Sequence, residues 1–220
     1  MKIEEALKEL IETSDDKTSF VESDVFHHNA PYEAGLSILK NGILPASMQN
    51  ERGISNRDEH VFIDGNKMDI GTVNGYNDIS ISRVYGEHPY YDQDFGYCPY
   101  NPSMLDFILD KSMYKDLPMG HNNENYYNEY LVRSSVPTKY IKSLNVRLHN
   151  MTLLKDVKFC DVKYCLEKND SIFRECYNNL IDMATYITES GLNIPICEIV
   201  SNSSVYTLDP KKVMKLSKLK

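Results

Sequence analysis

The feature that most constrains this chain is that its apolar residues come in short runs. VFHH (25–28), DISISRVY (78–85), MLDFILD (104–110), NEYLVRSSVP (128–137), YIKSLNVRL (140–148) and IPICEIV (194–200) are set between stretches rich in Gly, Pro, Asn and Asp. That is the pattern of strands between turns. In DISISRVY, Ile79 and Ile81 alternate with Ser80 and Ser82, which predicts a strand with small hydroxyls on one face. Helical spacing occurs in fewer places. Ile3, Ala6, Leu7, Leu10 and Ile11 form one stripe, and Ala34, Leu36, Ile38 and Leu39 form another, with Pro31 at its first turn and Gly42 as a left-handed stop. Ile172, Cys176, Leu180, Ala184 and Ile187 predict a helix over 171–189 stopped by Gly191. So few helices between so many strands predict an α+β fold with two small sheets, not a doubly wound parallel one.

The rest of the chain reads as connections. TSDDKTS (13–19) is a polar break, 45–78 is a long loop region with one strand at HVFI (60–63), and 86–103 is an aromatic, turn-rich loop. Loops that long inside a domain are usually functional. The length of 220 residues fits a single domain. Within it we expect an N-terminal helical segment (1–25), a core (26–148) and a C-terminal extension packed on that core (149–220).

A formal net charge of −8 argues against a broad footprint for duplex DNA. The charge is uneven, with three Lys against eight Asp and Glu in residues 1–25 and five Lys with no acid in residues 211–220. A solvated or docked end is the expectation for that tail. The 16 tyrosines, without any tryptophan, fit half-buried rings along a cleft as well as compositional drift. Five cysteines at 98, 160, 165, 176 and 197 form no CxxC pair, so neither a zinc site nor a disulfide framework is expected. Scattered thiols, an acidic amphipathic N-terminus and the lack of a long apolar stretch predict a protein of the cytoplasm, its own cell's or a host's, with no membrane partner.

Three stretches carry candidate chemistry: FHHNAPYEAGLSILKNGILP (26–45), ISISR (79–83) and NEYLVRSSVPTKYIKSLNV (128–146). Singly each has a plain structural reading, a core histidine, a solvated strand face or a surface acid. In order and spacing they resemble the ADP-ribosyltransferase superfamily, most closely its bacterial DarT-like branch. There a histidine in an H-x-T/S motif ends the first strand before a helix similar to SILKNGI, a polar strand lies under the nicotinamide ribose, and a glutamate opens a strand continued as Leu-Val, Val-Pro and Tyr-Ile. The resemblance covers 26–148 and implies an ADP-ribosyltransferase-like fold: α+β, two small, mainly antiparallel sheets forming an NAD cleft, and flanking helices.

It also implies roles. Breaking the bond between nicotinamide and ribose builds positive charge on the sugar, which a carboxylate can stabilise while it orients a hydroxyl or activates the acceptor. Glu129 matches that catalytic acid. His28 matches the histidine on the adenosine ribose, with His27 as a rival, because Ala30 stands where the motif has Thr or Ser. Arg83 suits the pyrophosphate. Ser80 and Ser82 suit the orientation of Glu129 or of nicotinamide, and Tyr85, Tyr126 or Tyr127 suits stacking on it. NAD is then a co-substrate, and no metal is expected.

Tyr127 stands two before Glu129, where arginine-specific relatives carry Gln or Glu, and the residue set of chain-elongating polymerases is not evident. Mono-ADP-ribosylation of a macromolecule is the expectation, in the setting of a toxin, phage or effector protein. The acidic balance slightly favours a protein acceptor. The DarT-like resemblance implies a nucleic-acid base, for which Arg52, Arg57 and Lys67 could line a single-stranded track. NAD hydrolysis and a non-catalytic binding module are the other readings, while RNA 2′-phosphotransfer lacks its basic cluster.

Overall fold

The computed structural model describes residues 2–18, 25–54, 60–63, 66–69, 78–84, 104–121, 129–151, 169–201 and 204–220. Helix α1 (Ile3–Glu12) buries Ala6, Leu7 and Leu10 along one side, as their spacing predicts. The polar stretch after it is not a break. Ser14–Thr18 forms strand β1, paired antiparallel with the late strand β11 (Ser204–Leu208). Being at the sheet's edge, β1 is held by backbone hydrogen bonds to one neighbour and carries no apolar alternation to betray it.

Strand β2 (Val25–Pro31) runs directly into helix α2 (Tyr32–Asn41). Pro31 caps α2 from outside instead of sitting in its first turn, and its extended backbone (φ −64°, ψ 152°) sets the turn from strand to helix. Gly42 ends α2 at φ 78° and ψ 179°, a conformation that side chains exclude. The stretch read as loop contains helix α3 (Ala46–Glu51) and a hairpin of β3 (His60–Ile63) with β4 (Asn66–Asp69).

Then follow β5 (Ile79–Val84), β6 (Met104–Leu109), the short helix α4 (Met113–Asp116), β7 (Met119–His121), β8 (Glu129–Val132) and β9 (Ile141–Val146). The short helix α5 (Leu148–Met151), the long helix α6 (Asn169–Glu189), β10 (Ile196–Ser201), β11 and α7 (Pro210–Val213) complete the order.

One ladder connects nine strands in the order β1-β11-β10-β9-β6-β2-β5-β8-β7. It has two halves. From β1 to β2 the half is mixed, because β9 and β10 run parallel while the other neighbours are antiparallel. The half made of β5, β8 and β7 is antiparallel throughout. Among the described residues the ladder joins the halves where Val25, Phe26 and His27 of β2 face Val84, Arg83 and Ser82 of β5, although β2 stays paired with β6 out to Pro31. The class is thus α+β, but where the sequence predicts two small sheets, one nine-stranded ladder carries both a mixed half and an antiparallel half.

Leu105, Phe107 and Leu144 of the sheet share one apolar cluster with Leu10 of α1, Leu39 of α2 and Leu180 and Met183 of α6. In α6, Ile172 is exposed, and Phe173, Tyr177 and Met183 join Cys176, Leu180, Ala184 and Ile187 in the buried set. Residues 149–220 supply α6 to the core and β10 and β11 to the sheet. The lysine-rich tail is docked: the Asn178 side chain donates to the Leu219 carbonyl (2.9 Å) and accepts from the Leu219 N–H (2.8 Å). Among the described residues no helix is long and apolar enough to cross a membrane.

Candidate functional site

Where β5 parts from β2 the molecule has a notch. Past His27 the backbone ladder between the two strands stops, and the ring of His28 takes over, with its Nδ1 3.0 Å from the Ser80 carbonyl oxygen. Beside this contact lies a cavity of about 450 Å³. Its walls are Asn29–Pro31 at the end of β2, Glu33, Ala34 and Ser37 on α2, the Gly42–Ala46 turn, Gln49 of α3, and Asp78–Ser80 at the start of β5. The volume is that of a small-molecule site, and the lining mixes apolar surface with a few convergent polar groups.

The turn is fixed by backbone bonds. Ile43 and Val136 exchange both of theirs, Ile43 N–H to Val136 O at 2.9 Å and Val136 N–H to Ile43 O at 2.8 Å. The VP of the third motif stretch therefore braces the helix end of the first. Gln49 Nε2 donates to Leu44 O at 2.7 Å and ties α3 to the same turn.

The ladders place Glu129 of β8 opposite Ser82 of β5, and Ser82 opposite His27 of β2. These three residues occupy one row across the strands. Arg83 is opposite Phe26, one residue out of that row. Ser80, two residues from Ser82, lines the cavity, so β5 connects cavity and row.

The two histidines separate at this point. His28 is half-buried and lines the cavity. His27 is buried, with Nδ1 3.0 Å from Oδ1 of Asp106 on β6, and the other oxygen of Asp106 is 3.5 Å from Nη2 of Arg147. Asp106 is 1 % exposed and Arg147 2 % exposed, so the pair is cut off from water.

Beyond Arg147 lies a fourth buried ionisable group. Glu198 of β10 is fully buried and accepts from the backbone N–H groups of Leu148 (3.3 Å) and His149 (2.7 Å), capping α5. Burial pushes its carboxyl up to about 7, against the opposing pull of those two N–H groups and of the Arg147 charge.

The structure thus sets the backbone positions of Glu129, Ser82 and His27 in one row and places Ser80 and His28 on the cavity. Tyr85, Tyr126 and Tyr127 lie outside the described residues. Of the basic residues suited to a nucleic-acid track, Arg52 is an exposed residue after α3, Lys67 belongs to β4, and Arg57 lies outside the described residues. Asp106, Arg147 and Glu198 were not singled out from sequence. The signal was there: each is a charge inside or at the end of an otherwise apolar run, in MLDFILD, SLNVRL and IPICEIV. A buried charge in such a run must be paired. Among the described residues no cluster of His, Cys, Asp and Glu forms a metal-ligand set, and Cys176 and Cys197 are free thiols. No family model matches the sequence, and no curated protein matches it.

Proposed function

We propose that this protein is an NAD-dependent mono-ADP-ribosyltransferase that moves ADP-ribose to a macromolecular acceptor. The observation that carries the reading is the row Glu129–Ser82–His27, linked along β5 through Ser80 to a small-molecule cavity at the parting of β2 and β5. The motif resemblance calls for that neighbourhood, since its three stretches must converge on one cleft.

In this reading the cavity takes the adenosine side of NAD, with His28, Asn29 and Ser80 available to its hydroxyls. The nicotinamide ribose lies along β5 towards Glu129. As the bond from ribose C1′ to the nicotinamide nitrogen breaks, its electron pair leaves with nicotinamide and the ribose acquires oxocarbenium character. The Glu129 carboxylate stabilises that charge and accepts a proton from the attacking nucleophile. Arg83 offers paired donors to the pyrophosphate. A protein acceptor fits a chain of net charge −8 better than a polyanion does.

The test is to incubate the protein with NAD labelled in its adenosine portion, together with cell lysate or single-stranded oligonucleotides, and to run Glu129→Gln alongside. Label on protein, lost in the variant, is the expected result. Label on the oligonucleotide would move the acceptor to a nucleic-acid base, and free labelled ADP-ribose with no labelled macromolecule would make the enzyme a hydrolase. A wild-type protein that leaves NAD intact would remove the reading and favour a binding module.

A further inference from the structure

Two opposite charges withdrawn from water, as in the His27–Asp106–Arg147 array, are often matched or bettered in stability by well-packed apolar residues of the same size. Asp106 lies between Leu105 and Phe107, both fully buried, in a strand that needs no charge to fold. What the array does achieve is geometric. A carboxylate bridged to a guanidinium can only accept, so the hydrogen shared between His27 and Asp106 sits on Nδ1 of the ring. Nε2 is then the second functional atom of His27, and among the described residues it has no protein partner. Its strand position is the one opposite Ser82, in the row that ends at Glu129.

We infer that Asp106 and Arg147 are positioning residues, which lock His27 as the Nδ1–H tautomer so that Nε2 accepts a hydrogen bond from a hydroxyl of the bound nucleotide. Arg147 acts at one remove: it holds Asp106 from the side away from His27, and Asp106 in turn sets the angle and the tautomer of the ring. The logic is that of carboxylate–histidine pairs generally, in which the partner of one ring nitrogen decides what the other can do. His28 lines the cavity, and its Nδ1 faces the backbone carbonyl of Ser80. The inference rests on the NAD site proposed above.

The experiment is a long-range proton–nitrogen NMR spectrum of the full chain labelled with 15N-histidine, at mildly alkaline pH, with His27→Gln used to assign the signal. In the wild type His27 should show the hydrogen on Nδ1, and adding NAD should move its Nε2 resonance. Asp106→Asn should redistribute the tautomer and weaken NAD binding about tenfold, the worth of one well-made hydrogen bond. A wild-type His27 carrying its hydrogen on Nε2 overturns the inference without needing any variant. So does NAD that is bound or consumed while the Nε2 resonance stays still, and that result leaves the proposed function standing. If NAD produces neither a spectral change nor nicotinamide, the inference and the reading beneath it both fall.

Discussion

At the residue scale the structure's unusual feature is a set of ionisable groups in a core that could have been apolar. Glu198 makes a prediction about pH. Its carboxyl is pushed from an ordinary 4.5 to about 7 in the folded chain. Between those values the native state holds a proton that the unfolded chain has released, so this group's contribution to stability is full below 4.5 and is lost as pH rises to about 7. Across that window the loss amounts to about 3–4 kcal/mol at about 1.4 kcal/mol per pH unit. Urea unfolding of wild type and Glu198→Gln, compared pH by pH, should show the wild type losing ground by this amount as pH rises. A constant difference would contradict it. Tyr177 makes the opposite kind of prediction. Among the described residues its hydroxyl is buried without a hydrogen-bond partner, and burial pushes its phenol up to about 12. Tyr177→Phe removes a polar atom that nothing satisfies and should raise stability by about 1 kcal/mol in the same assay.

At the scale of elements, helix α2 decides where the cavity wall stands, and glycines set it at both contacts. A Cβ on Gly35 would overlap Met183 Sδ of α6 and Leu105 Cδ1 of β6, both wholly buried, so α2 sits flush on its neighbours. Gly35→Ala gains about 1 kcal/mol in helix propensity but should lose about 1–3 kcal/mol to overpacking. The net loss should shrink when Met183→Ala makes room, which thermal melts of the single and double variants would read. At Gly42 no such rescue exists. A Cβ there would run into the Val136 carbonyl, and φ is 78°. Gly42→Ala should cost about 2 kcal/mol or more and loosen the turn that lines the cavity.

The elements also mark how far the sequence could be read. Strands β2, β5, β6, β8 and β9 and helices α1, α2 and α6 follow from apolar runs and spacing, because burial selects apolar residues, on one stripe of each helix and along the whole of β6 from Leu105 to Leu109. Strand β1 was invisible, since an edge strand of Ser, Asp and Lys is held by backbone pairing that leaves no mark in side-chain type. In the site, Glu129, Ser82 and Ser80 were legible as motif positions. The choice between His27 and His28 was not, because adjacent strand residues point to opposite faces and only register with β5 and β6 says which face is which. Asp106 and Arg147 were unreadable as a pair for the same reason: they are 41 residues apart in sequence and meet only through the β6–β9 ladder.

At the scale of the whole molecule, both chain ends are fastened to the same framework. β1 zips onto β11, Lys212 pairs with Asp15, Lys218 with Asp182, and Leu219 is buried with its backbone held by Asn178. Removing residues 217–220 should therefore cost about 2–4 kcal/mol, from the burial of Leu219 and two hydrogen bonds, despite the polar character of the tail. Unfolding curves of the shortened chain would check this, and an unchanged midpoint would mean the tail is only a solvated end.

On the proposed function, NAD is cleaved at the notch between β2 and β5 with Glu129 as the carboxylate. The most direct measurement is the rate of nicotinamide release from NAD by the purified full chain, wild type against Glu129→Gln. Release by the wild type is expected, with a fall of about 10²- to 10³-fold in the variant, the scale on which single electrostatic contacts to a transition state act. Equal rates in the two proteins, or no release by the wild type, would contradict it.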